Sequence, residues 1–151
     1  MKDNKFLYNN EGIAIIAILG VLSKMEKLDY PKVFLILPLL LNDNIVSFVK
    51  NKKSTVIGIQ DLVSRRVESF TNFNKSYESF FTLTFNSICI AEELKLIRFE
   101  KNEIVYIDNA FDIESINFGD RASNIIMAST KIINVLKIDA IQLYSTLKIR
   151  I

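Results

Sequence analysis

Side chains able to make or break bonds are scarce in this chain of 151 residues, which has no histidine and one cysteine. A Ser-His-Asp or Cys-His nucleophile pair is therefore impossible, as are a His-ligated metal and imidazole acid–base chemistry. Cys89 lies in an apolar helical stretch and reads as a small core residue of low reactivity. Glu92-Glu93 and Asp112 with Glu114 could pose as paired carboxylates, but no basic partner accompanies them and they read as solvated charge. The four glycines, Gly12, Gly20, Gly58 and Gly119, are scattered, and none precedes a Lys-Ser/Thr pair. A phosphate-cradling loop is thus not expected. The sequence leads to no catalytic residue, no cofactor and no metal, and an enzyme is the least favoured class.

What remains are residues that bind. Arg65 and Arg66 could make charge-assisted bonds to an acidic patch or to DNA phosphate, or could simply suit the C-terminal dipole of an exposed helix end. Lys50, Lys52 and Lys53 could touch a DNA backbone or form a solvated turn. Lys95, Arg98 and Lys101 lie where a wing would meet a minor groove, though Glu100 and Glu103 beside them weaken that reading. Tyr144 and Arg150 could anchor a protein partner, as aromatic and Arg residues often do, or the Tyr could face the core.

Length favours a single domain, residues 1–151, since a domain usually holds about 100–200 residues. With 50% hydrophobic and 24% charged residues a core can form and disorder is not expected. Residues 1–75 hold 11 Lys/Arg and 7 Asp/Glu, and residues 76–151 hold 8 and 10. That asymmetry is too mild for binding driven by phosphate charge alone. A lone cysteine excludes an internal disulfide, and the start Met1-Lys2-Asp3-Asn4-Lys5 lacks signal-peptide order. A cytoplasmic protein without membrane association is expected.

The elements that must position these residues are mostly helical. Asn10 reads as the N-cap of a helix to about Lys27, apolar on all faces and therefore deeply buried or sandwiched between partners. Asp29 or Tyr30 caps a second helix with Pro31 at its first position. Its apolar run, Val33 to Leu41, contains Pro38, so tertiary packing must hold it. The run is far shorter than the ~20 residues of a spanning helix. A short turn carries Ile45, Phe48 and Val49, and a third helix is expected from Val56 to about Ser69. Thr71 to Lys75 reads as a loop, and Ser76 caps a fourth helix to about Glu93 with Tyr77, Phe80, Phe81, Thr84, Ile88 and Ala91 on one face. Alternation over Lys95–Glu100 and Ile104–Asp108 predicts a β-hairpin, with Asn102 able to take a left-handed turn. Asn109 to Gly119 is an acidic connection. A fifth helix runs from Gly119 to about Leu136, and a short last helix, Ala140 to Leu147, aligns Ile141, Tyr144 and Leu147. The fold class is mainly α, with five to six helices and one hairpin between the fourth and fifth, the order of a winged-helix unit.

Three segments together resemble the small middle component of bacterial three-component ABC systems: Asn9-Asn10-Glu11-Gly12 before an apolar helix, Phe34-Leu35-Ile36-Leu37-Pro38-Leu39, and the close Ile141-Gln142-Leu143-Tyr144-Ser145-Thr146-Leu147-Lys148-Ile149-Arg150. Ser64-Arg65-Arg66-Val67 is similar to a recurring arginine before a variable loop. Glu11 stands where the family has a proline, and no proline follows Arg150. The resemblance implies a role in anti-phage or anti-plasmid defence of the Lamassu type. It implies a chromosome-maintenance-like (SMC-like) coiled-coil ATPase as one partner and a toxic effector, often a nuclease, as the other. DNA would be reached indirectly through the complex. The chain would be a non-catalytic adaptor; the alternative is a winged-helix DNA-binding regulator acting alone.

Overall fold

The computed structural model of the chain describes residues 10–108, 112–113 and 117–151. Helix α1, Glu11–Met25, starts where Asn10 Oδ1 accepts the Ile13 amide at 3.1 Å. Its all-round apolarity is explained by position, since α1 lies at the centre of the domain with Ala14, Ala17, Ile18, Leu19, Val21 and Leu22 fully enclosed. Glu26 then turns left-handed at φ 69° and releases the chain into strand β1, Lys27–Asp29. Helix α2, Tyr30–Leu40, carries Pro38 in its interior, and its run from Leu35 to Leu40 is buried. After the Asn42 cap comes α3, Asp43–Val49, which meets α2 at 91°.

An extended stretch leads to α4, Ile59–Arg65, and the one-turn α5, Val67–Phe70. Helix α6, Phe73–Glu93, is the longest. It ends where Lys95 adopts φ 61° and the Leu96 amide reaches back to the Ala91 carbonyl at 2.9 Å, a left-handed terminus of the Schellman kind. Strands β2, Ile97–Phe99, and β3, Glu103–Tyr106, follow, then α7, Asp120–Val135, and α8, Ala140–Thr146. The sheet order is β1-β3-β2, antiparallel throughout. Helix α1 is flanked by α2, α6 and α7, and its closest approach is to α7. Gly20 permits that approach, because a Cβ there would meet Ser129 Oγ at 3.2 Å.

The mainly helical expectation holds, but its details are corrected. Eight helices form among the described residues, not five to six. The third helix begins at Ile59 and breaks at Arg66, whose φ −132° and ψ 51° are not helical. The fourth begins at Phe73, inside the expected loop. Asn102 is not left-handed; among the described residues only Glu26, Lys95, Lys148 and Gly119 have positive φ. The hairpin is not a free two-stranded wing, because β3 pairs on its other edge with β1, Leu28 opposite Ile104. The winged-helix comparison is corrected with it. The helix entering the hairpin exposes Phe81, Phe85, Glu92 and Glu93 where a DNA-reading helix needs cations. Most of the expected acidic connection, Glu114 included, lies outside the described residues.

No described helix is by itself long and apolar enough to cross a membrane.

Candidate functional site

An aromatic groove of about 440 Å³ opens where α2, α6 and α8 meet, lined by Tyr30, Phe34, Tyr77, Phe81, Ile141 and Tyr144 with little polar surface between them. Helical spacing builds each wall. Tyr30 and Phe34 are one turn apart on α2, as are Tyr77 and Phe81 on α6. The Phe34 and Phe81 rings stack with centroids 4.5 Å apart, and Tyr77 stands edge-on to both Phe81 and Tyr144. The Tyr144 hydroxyl donates to the Pro31 carbonyl at 2.6 Å and lies 3.2 Å from the Tyr77 hydroxyl, so one phenol ties three helices together. Burial first, and then the contact with Tyr77, pushes the Tyr144 phenol well above the usual range. Tyr30 donates to the Glu100 carbonyl at 2.6 Å and so fixes the hairpin turn against α2.

The rim of the groove is apolar and open to solvent, with Phe81 46% and Ile141 79% exposed; Phe85, one turn further along α6, is 55% exposed. Ile141 also borders a second groove of about 690 Å³ beside Ile57, Gly58, Ile59, Asp61 and Gln142. It forms a ridge between the two grooves. The sequence pattern aligns Ile141 with Tyr144 on a core face; the structure buries Leu143 and Tyr144 and turns Ile141 outward. Phe81, which the sequence aligns with Thr84, Ile88 and Ala91, lies at the groove's edge while those three are buried.

The expected site residues fall in five places. Tyr144 is a groove floor, buried to 9% exposure. Arg65 and Arg66 place their guanidinium carbons 4.9 and 5.3 Å from the Phe48 ring centre. Arg65 donates to the Thr55 carbonyl at 2.7 Å and approaches Asp61 at 3.4 Å, while Arg66 pairs with Glu68 at 3.1 Å. The two arginines thus clamp α4 and α5 onto α3 and the following turn. Arg150 is exposed, and its backbone amide donates to Asn74 Oδ1 at 2.8 Å. On the hairpin, Lys95 is the left-handed terminal residue of α6 and Arg98 is paired with Glu100 at 3.3 Å; Lys101 is exposed at the turn.

Lys50, Lys52 and Lys53 sit in a setting of their own, the turn after α3. Lys131 of α7 donates to the carbonyls of Asn51 and Ser54, at 2.6 and 2.5 Å, and Asn134 donates to that of Val56 at 3.0 Å. Sequence reading misses Lys131 and Asn134, and nothing local marks them, since α7 also carries Asp120, Arg121, Ser123, Asn124, Ser129 and Thr130.

No cluster of three metal-ligating side chains exists among the described residues. Cys89 is half-buried on α6. Burial and the carboxylates of Asp108 and Asp112 raise the Tyr106 phenol, which disfavours its ionised form. The arrangement suits binding by apolar rings on one face and by cations on another. Residues 14–151 match the family model described as ABC-three component (ABC-3C) system Middle Component 3. The chain therefore belongs to that family. No curated protein and no solved structure is significantly similar to it.

Proposed function

We propose that this Middle Component 3 protein is a non-catalytic adaptor, linking a coiled-coil, SMC-like ATPase to a toxic effector in a Lamassu-type defence system of the cytoplasm. The family match over residues 14–151 carries the reading, because it makes the chain one component of a three-component ABC assembly. The aromatic groove supports the docking part. Exposed phenylalanines beside a preformed apolar cleft are the features of a protein-binding surface. The ATPase is the occupant assigned to this groove, and the effector is held elsewhere. The scarcity of nucleophile–base and metal-ligand side chains supports an adaptor without chemistry of its own.

The test is reconstitution with the products of the two adjacent open reading frames. A complex containing the ATPase is expected, and Phe81→Glu with Phe85→Glu should weaken it at least tenfold while the melting temperature stays within a few degrees. Absence of ATPase binding by the unaltered chain at micromolar concentration rejects the adaptor reading.

A further inference from the structure

The segment from residue 50 to residue 66 holds Lys50, Lys52, Lys53, Arg65 and Arg66 against a single acid, Asp61. This stretch alone exceeds the formal charge of +2 carried by the whole chain. The two arginines are engaged with Phe48, Thr55, Asp61 and Glu68. The three lysines have no carboxylate at ion-pair distance among the described residues, and Lys52 and Lys53 are exposed.

The turn that carries them is built with care. Two of its carbonyls, Asn51 and Ser54, are taken by Lys131, and the next two along the chain, Thr55 and Val56, by Arg65 and Asn134. The Lys53 amide donates to Asn51 Oδ1 at 3.0 Å, and the Ser54 hydroxyl donates to the Phe48 carbonyl at 2.6 Å. A solvated turn does not require such fixation. Fixing the backbone lowers the ordering cost of placing several cations against one extended anion.

The composition of the turn chooses between anions. A packed protein interface is centred on a buried apolar or aromatic anchor. Residues 50–54, Lys-Asn-Lys-Lys-Ser, offer none. Lysines act as point charges toward phosphate and are tolerant of sequence. We propose that the Lys50–Ser54 turn is a contact for the phosphodiester backbone of a nucleic acid, independent of base sequence and separate from both the aromatic groove and the hairpin. It adds a direct contact to an assembly in which the adaptor would otherwise meet DNA only through its partner. Binding by the isolated chain does not depend on the adaptor reading.

Fluorescence anisotropy at 25 mM salt tests it, using the full chain with a labelled 20-base-pair DNA duplex, the equivalent RNA duplex and labelled poly-glutamate. Either duplex should bind, and Lys50→Gln with Lys52→Gln and Lys53→Gln should weaken binding at least tenfold. The triple variant should also remove about 2.7 from the slope of log affinity against log salt, at about 0.9 for each phosphate no longer neutralised. Lys75→Gln, an exposed lysine in the first turn of α6, should leave both unchanged. Circular dichroism checks that the triple variant is folded, as expected for side chains at the surface. Lack of duplex binding, an unchanged affinity in the folded triple variant, or equal affinity for poly-glutamate each overturns the assignment.

Discussion

The aromatic groove and the cationic turn lie on one chain but are held in opposite ways. The groove is an outgrowth of the core: Tyr144, Tyr77, Phe34 and Phe81 pack on one another, and the lowest of them is also the tie between α2, α6 and α8. The turn has no core of its own. Side chains from α7 and α4 hold its carbonyls from outside. Ligand-facing and structural roles are therefore merged in the groove's floor and separated in the turn, where the lysines that face solvent hold nothing in place. Damage to the groove's buried floor should spread through the fold, and damage to the turn should stay local.

The strongest way to break this contrast is Tyr144→Ala. Truncating a buried aromatic costs about 3–5 kcal/mol, and here the Pro31 carbonyl also loses its donor. Urea denaturation should show a loss of that size together with the disappearance of ATPase binding. A loss below about 1 kcal/mol would show that the groove floor is not structural. Next is Lys131→Met, which keeps the aliphatic stem and removes two charged hydrogen bonds. The expected cost is about 1.5–3 kcal/mol, with faster amide exchange confined to residues 51–56. Faster exchange spreading into α1 would erase the proposed difference between the surfaces.

Alkaline pH probes the groove's floor. The Tyr144 phenol has its folded-state pKa raised above the unfolded value of about 10. Its contribution is fully present below that pH. Above it the unfolded chain gives up a proton that the native state keeps, so stability falls as pH rises, by up to about 1.4 kcal/mol per pH unit. Denaturation midpoints between pH 9 and 11 should show the fall, and Tyr144→Phe should remove that share of it.

Legibility follows the range of the interactions. Asn10 as a cap, Pro31 in the first turn of α2 and Gly119 before α7 are local signals, and each stands where the sequence places it. Strand β1 is illegible because Lys27-Leu28-Asp29 is short and its partners Val105, Ile104 and Glu103 lie on the far side of five helices. The helical period puts Ile141 on the wrong face because α8 is only seven residues long, too few to separate core from rim. The lysines of the turn are visible as charges. Their fixation is not, since Lys131 and Asn134 reach across 77 to 80 positions.

The smallest predicted change lies beneath the groove. Thr84 is fully buried on the inner side of α6, and its hydroxyl has no hydrogen-bond partner; Ser87, one turn on, shares that condition. An unsatisfied buried hydroxyl carries a desolvation penalty that a methyl group of similar volume does not. Thr84→Val keeps the β-branched shape against α1 and α2, the helices α6 packs on, and should raise stability by about 1 kcal/mol. It should do so without altering the exposed Phe81 and Phe85 or the affinity for the ATPase. If stability rose and ATPase binding fell in the same variant, the groove would need the mobility that this unsatisfied layer gives α6, and the line between a rigid groove and a clamped turn would have to be redrawn.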